Sequence, residues 1–358
     1  MNTSSLPKAQ SFAQRVLPKL IVSLVLGALF AWVASRGGMP LLPTREAFSH
    51  VKWWAVPGYI SMLAVTHLVR ATRWRFLIAP VKRVPIKEVI AINWIGFFAI
   101  FVMPLRLGEL ARPALSKIRE GIPISAGVGT VAVERIVDGL ITSLCVAWAI
   151  FALPRLPTTD PIARNVPYYG MLALTVFASA FAALGLFLWQ RALAARLMEK
   201  TVGLFSPRIA KVVAEKIDQV ADGVRSIADI RLASGFLFES LVYWALNAGG
   251  MWLLAVGCGI PMTGGHAIAV MGVLAIGILL PAGPGLFGTF QLGMLVGLKL
   301  YFAEDLVAAA GGVYIFLLYG IQLLGICLAG IVPLYAMNVR FSDLLRAPTG
   351  RTIPPPAA

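Results

Sequence analysis

The chain has 358 residues, 59% of them hydrophobic and 13% charged, with a mean hydropathy of +0.82. Such values exclude an ordinary soluble globular domain and indicate a polytopic membrane protein. Its 31 Lys and Arg against 16 Asp and Glu give a formal charge of +15, but basic residues gather in cytoplasmic loops beside anionic lipid headgroups, so no nucleic-acid partner is expected.

Lys8, Arg15 and Lys19 precede the first apolar run, 20–34, which leaves 1–19 as a cytoplasmic N-terminal segment. The run could also imitate a secretory signal with cleavage near Ser35, and in both cases the following loop is exported. A second span covers 53–69, with Trp53 and Trp54 as an interfacial belt. Arg70, Arg73, Arg75, Lys82, Arg83 and Lys87 follow as the densest basic cluster and read as a cytoplasmic loop.

The next apolar segment, 89–103, is about fifteen residues long and stops at Pro104, short of the roughly 20 that a crossing helix needs. If it crossed, Arg106, Arg112, Lys117 and Arg119 would be exported against the positive-inside bias; a re-entrant hairpin broken at 104–108 returns them to the cytoplasm. A long helix then runs over 125–153, a short exported loop over 154–167, and a further span over 168–189. Segment 191–231 is hydrophilic and holds an amphipathic helix, with Ser206 as N-cap, Pro207 as first helical residue, and Ile209, Val212, Val213, Ile217, Val220, Val224 and Ile227 on one face. It reads as a cytoplasmic surface helix or one packed under the bundle.

After a span over 234–256 the earlier pattern recurs. Segment 266–280 is again short and ends in PAGPG at 281–285 before 286–302 continues. A second hairpin, from the outside, leaves Glu304 and Asp305 exported. The last span, 307–335, returns Arg340, Arg346 and Arg351 to the cytoplasm, and 341–358 reads as a disordered tail with both termini cytoplasmic. The expected fold is all-α: a polytopic transmembrane helix bundle of about six to eight spans, with two re-entrant hairpins in an inverted-repeat arrangement and a binding site where the breaks meet. A plain bundle with proline kinks is the competing architecture.

Six ionisable residues lie between these apolar runs: Arg106, Glu109, Arg112, Glu134, Arg135 and Asp138. Each would cost roughly 2.5–3.5 kcal/mol facing lipid, so they must pair, line a polar cavity or sit at an interface. Arg106 and Arg112 can fork onto phosphate oxygens, with Glu109 three residues from each; alternatively they snorkel and fix topology. Glu134 and Asp138 share a helix face, with Arg135 turned about 100° away, roughly 14–20 Å along their helix. They fit a counter-charge for the arginines, a proton carrier or a structural ion-pair network. Gly283, Gly285 and Gly288 match GxGxxG without any βαβ context, which leaves free N–H groups for an anion or simple close packing. Asn93, Glu239 and Asn247 are polar residues suited to bonding between helices. Cys145, Cys258 and Cys327 are isolated small core residues, and His50, His67 and His266 show no metal spacing, so neither metal nor cofactor is expected.

Asn93 with PLRLGELAR, the stretch 125–139 with VERIVDG, and PAGPGLFGTFQ resemble the lysylphosphatidylglycerol synthase transmembrane region, a flippase-like membrane family, over roughly 20–340. The resemblance implies a bacterial inner-membrane protein that moves an anionic or phosphate-bearing lipid (phospholipid, polyprenyl-phosphate-linked or hopanoid-type), rather than an enzyme. It also implies a binding role for Gln291, where the family motif commonly has glutamate. The chain ends soon after its last span, so it is expected to lack the soluble aminoacyl-transferase domain and to depend on a separate lipid-modifying enzyme. The alternative is a membrane-embedded transferase, or an accessory to one, with Glu134 or Asp138 as base.

Overall fold

The computed structural model describes residues 12–36, 42–103, 108–157, 160–190, 207–280 and 283–336. Pro104, Arg106, Pro281, Ser206, the N-terminal segment before residue 12 and the tail 341–358 lie outside the described residues. Among those described there is no strand, and the all-α polytopic bundle expected from composition is what the chain forms.

Its principal helices are α1 (Phe12–Arg36), α2 (Ala55–Thr72), α3 (Trp74–Ile78), α4 (Ile86–Val102), α5 (Ala111–Glu120) and α6 (Ile124–Ala152). They are followed by α7 (Val166–Trp189), α8 (Pro207–Val224), α9 (Ile230–Gly257), α10 (Gly264–Gly277), α11 (Thr289–Lys299) and α12 (Glu304–Ala336). Of the described helices, α6, α7, α9 and α12 are each long and apolar enough to cross a membrane.

Both short apolar segments fold back on themselves. In the first hairpin, Gly108 lies against Ala99, Arg112 against Gly96, and Arg119 pairs with Glu88 at 2.9 Å, so α5 runs antiparallel to α4. In the second, Gly277 faces Gly293, Val270 faces Gly297, and the His266 and Tyr301 rings lie 5.1 Å apart, so α11 runs antiparallel to α10. Gly285 (φ 71°) and Gly288 (φ 88°) make the second return possible, because both adopt the left-handed region closed to most side chains. Gly288 also lies directly on the Gly27 carbonyl of α1, where any Cβ would collide.

The 29 residues of α6 extend about 44 Å at 1.5 Å per residue and connect the two hairpins. It begins at the open end of the first. It finishes at the open end of the second, where Leu153 packs by Gly265 and the Leu156 N–H donates to the Leu300 carbonyl at 2.9 Å. The hairpins therefore open toward opposite ends of α6 and their tips point at each other; a Cβ at Gly285 would touch the Phe101 ring at 3.9 Å.

Packing is reciprocal. The first hairpin's α4 lies along α12, the second hairpin's α10 lies along α6, and α2 packs on α9. Each hairpin anchors its own apolar core. Trp74, Leu77, Ile92, Leu115 and Val133 build one, and Leu254, Val270, Met294, Tyr314 and Leu318 build the other. The amphipathic helix α8 packs on the start of α6, where Gly223 meets the Ala126 carbonyl and Ser125 donates to Gln219.

This polarity predicts an accessibility pattern. Single cysteines at Lys117 and Lys216 are expected to react with an impermeant maleimide from one face of the membrane only, and one at Asp305 from the other. Labelling of Lys117 and Asp305 from the same face would contradict the opposed placement of the two hairpin bases.

Candidate functional site

Between the two cores lies a cluster of buried charge. Helix α6 carries Glu134 and Asp138 one turn apart on its inward face, as their spacing of four requires. Asp138 receives a two-pronged contact from Arg73: Nη1 donates to Oδ1 and Nη2 to Oδ2, both at 2.7 Å. Trp244 Nε1 of α9 donates to the same Oδ1 at 3.1 Å, and Arg73 Nη1 also reaches Ser240 Oγ at 3.1 Å. Glu134 Oε1 accepts from Arg73 Nη2 at 3.3 Å, while Oε2 accepts from Arg112 Nη1 at 2.7 Å. That Arg112 nitrogen donates in addition to Asn93 Oδ1 at 2.8 Å, and Asn93 Nδ2 donates back to the Val89 carbonyl.

Arg73, Arg112, Glu134 and Asn93 are wholly buried. Fork-to-carboxylate geometry of this kind is strong and directional, and it offsets the desolvation of four ions only because each one finds a partner. It also fastens α2, α5, α6 and α9 to one another at the level where the hairpins meet. Each of the four carboxylate oxygens accepts at least one hydrogen bond, so the acids act here as partners of Arg73, Arg112 and Trp244.

Two arginines are placed differently. Arg135 lies near Glu109 Oε2 (3.9 Å) and Glu134 Oε1 (3.8 Å), beyond hydrogen-bond reach, and its Nε and Nη2 are buried without a bonded partner. The Nε of Arg70 is buried without a hydrogen-bond partner, and its guanidinium lies 3.9 Å from the Phe97 ring centroid and 5.7 Å from that of Tyr243. Both line a cavity of about 170 Å³ whose wall also includes Asp138, His67, Asn247 and Gln322. Phe101 and Leu279, from the two hairpin tips, also line it. Leu286 in the second tip also lines it and has φ 61°, the one non-glycine residue with positive φ among the described residues. Among the described residues the cavity wall carries two guanidinium groups, of Arg70 and Arg135, and one carboxylate, of Asp138, an excess of positive charge.

The structure thus brings together Asn93, Arg112, Glu134, Arg135 and Asp138, with Glu109 at the margin. Arg106 lies outside the described residues. Gly283, Gly285, Gly288 and Gln291 belong to the second hairpin's return and to its seat on α1. Gln291 Oε1 accepts from the Gly288 N–H at 2.7 Å, so that side chain caps α11 and that N–H is already occupied. Glu239 stands away from the cluster, pairing with Arg75 at 2.6 Å. His266 completes a capping box with Thr263 at the start of α10.

The cytoplasmic reading of Arg70 and Arg73 needs correction. Helix α2 does not end before them. It runs to Thr72, and α3 then continues with Trp74, Leu77 and Ile78 buried, so Arg73 is wholly buried and Arg70, half-buried, lines the cavity. The available signal was the apolar stretch 76–79 on their far side, which a true surface loop has no reason to carry. Tyr243, Trp244 and Ser240, one turn of α9, were also missed, because nothing local distinguishes them from ordinary span residues.

The sequence matches the family described as the lysylphosphatidylglycerol synthase TM region over residues 20–330, and the chain belongs to that family. It is accordingly a multi-pass membrane protein with a membrane lipid-related function. No curated protein and no solved structure matches it.

Proposed function

We propose that this member of the lysylphosphatidylglycerol synthase TM region family moves an anionic, phosphate-bearing lipid between the leaflets of a bacterial cytoplasmic membrane, taking the headgroup into the cavity beside Arg70 and Arg135. The observation that carries this reading is the pair of arginines whose buried N–H groups lack hydrogen-bond acceptors, on the wall of a cavity at the meeting of two hairpin tips. Buried guanidinium N–H groups without hydrogen-bond acceptors carry a desolvation cost that a bound anion offsets. Guanidinium forks match phosphate oxygens, and the local excess of positive charge favours an anion over a zwitterion.

On this reading both hairpins are re-entrant, from opposite membrane faces, with both chain termini cytoplasmic. The Arg73–Asp138–Glu134–Arg112 network is the fixed frame, and the loose Arg135–Glu109 contact is the part that yields when the first tip moves. Alternating access then amounts to one tip withdrawing while the other stays closed.

The test is leaflet-resolved movement of fluorescent phosphatidylglycerol in vesicles containing only this protein. At matched protein levels, Arg70→Gln and Arg135→Gln are each expected to slow movement by about tenfold or more, the loss of one charge-assisted bond to the headgroup. Arg70→Lys should fall between, because a point charge replaces a planar fork. Arg75→Gln, at the outer Glu239 pair, should move lipid at the normal rate. An Arg70→Gln protein as fast as the unaltered chain would remove the headgroup assignment.

A further inference from the structure

A second space adjoins the charged cavity. It is an apolar groove of about 660 Å³ between α7, α10 and α11, closed at one side by Phe30 of α1, and its size falls in the range of about 300–1,000 Å³ common to small-molecule sites. Gly170, Ala173, Val176, Val273, Leu292 and Val296 form much of its wall. Among the described residues no charged side chain lines it, and the polar side-chain groups on its wall are the hydroxyls of Tyr169 and Thr289, the latter donating to the Leu286 carbonyl.

The groove and the charged cavity share two lining residues, Phe177 of α7 and Leu279 of the second hairpin's tip. The Phe177 ring rests directly on Gly139, the residue after Asp138, where any Cβ would collide with it. Phe177 therefore stands between carboxylate and guanidinium groups on one side and a hydrocarbon-lined channel on the other. Helix α7 buries only Val166 and Gly170 among its residues, so the groove lies on the bundle's outer, lipid-facing flank.

We infer that this groove seats a hydrocarbon chain of the same lipid whose headgroup occupies the charged cavity, with Phe177 and Leu279 as the door between the two parts. The inference rests on the headgroup reading above and adds where the rest of the molecule goes. An anion site and an uncharged groove joined at one door are matched by a molecule that is anionic at one end and apolar along the other. The chain stays in an apolar environment while the headgroup alone enters the polar interior, which avoids exposing hydrocarbon to charge or phosphate to lipid.

The full chain in nanodiscs of phosphatidylcholine, with a trace of phosphatidylglycerol carrying a diazirine on one acyl chain, tests this. Photolabelling followed by peptide mapping is expected to place adducts within 166–177 and 292–296. Ala173→Trp, which fills the groove from a lipid-facing helix, should cut those adducts by about tenfold, and Ala173→Leu by less. Arg70→Gln should cut them to a similar extent, because a chain held through its own headgroup leaves with it. Binding of sn-glycerol 1-phosphate, followed by saturation-transfer NMR, should be lost in Arg70→Gln and kept in Ala173→Trp. If adducts persist in Arg70→Gln while glycerol phosphate binding is lost, the groove holds only surrounding bulk lipid and the inference falls with the headgroup reading intact. Adducts unchanged in both Ala173 variants overturn the inference in the same way. If glycerol phosphate binding ignores Arg70→Gln, the headgroup reading itself falls and takes the groove assignment with it.

Discussion

Glu134→Gln is expected to destabilise the protein by about 3–5 kcal/mol, the usual consequence of removing one partner from a buried ion cluster. Glutamine keeps the shape of the side chain but carries no charge. Arg73 and Arg112, both wholly buried and bonded to the two Glu134 oxygens, would then share Asp138 as the one remaining carboxylate of the network, with Ser240 and Asn93 as neutral acceptors. The amide also turns one acceptor into a donor that faces a guanidinium. Removing the outer pair offers the contrast: Arg75, 44% exposed, meets Glu239 at 2.6 Å, yet Arg75→Gln should cost no more than about 1 kcal/mol because water replaces the lost partner. Thermal aggregation of the detergent-purified variants, together with their abundance in the membrane, measures both. Equal midpoints for Glu134→Gln and Arg75→Gln would mean that the buried network does not hold the helices together.

Much of this arrangement was legible in the sequence. Glu134 and Asp138, four apart on a helix too apolar to tolerate them toward lipid, had to face inward, and Arg112 was correctly linked to them as a counter-charge candidate. The two short apolar segments with proline and glycine breaks each pack antiparallel to the helix that follows. The larger share of the charge balance was hidden. Asp138 is held by Arg73, which is 65 positions earlier in the chain, and a distant ion pair leaves no local periodicity. Counting basic residues toward a cytoplasmic loop assigned Arg70 and Arg73 by their neighbours, whereas their depth is set by how far α2 continues. Arg135 was correctly placed off the Glu134 and Asp138 face. That it nonetheless lines the same cavity follows from the way the cavity wraps around α6, which is a property of the assembled bundle. The glycines at 283, 285 and 288 signalled a close approach, but the partner, Gly27 of α1, could be identified only once α1 was docked.

The same dependence of charge on packing gives the sharpest expected contrast between glycines. A Cβ at Gly96 would overlap Cγ of Arg112 and press on its Cδ at 3.0 Å. Those atoms belong to the base of the side chain, pinned at the far end by Glu134 and Asn93, so they cannot swing aside without giving up both bonds. Gly96→Ala should therefore cost about 3 kcal/mol or more, since it combines overpacking of a closed interface with the breaking of a buried ion pair. It should also slow lipid movement, because the displaced Arg112 leaves Glu134 free to draw Arg135 away from the cavity. At Gly185 and Gly320 a Cβ would meet nothing within 4 Å. There the same substitution should be neutral or stabilise by about 0.5–1 kcal/mol, since helical alanine loses less backbone entropy than glycine. Thermal midpoints of the three alanine variants decide the matter: a Gly96→Ala midpoint no lower than those of Gly185→Ala and Gly320→Ala would show that α4 and α5 are not pressed together through Arg112, and that the first hairpin is held shut by something other than its buried arginine.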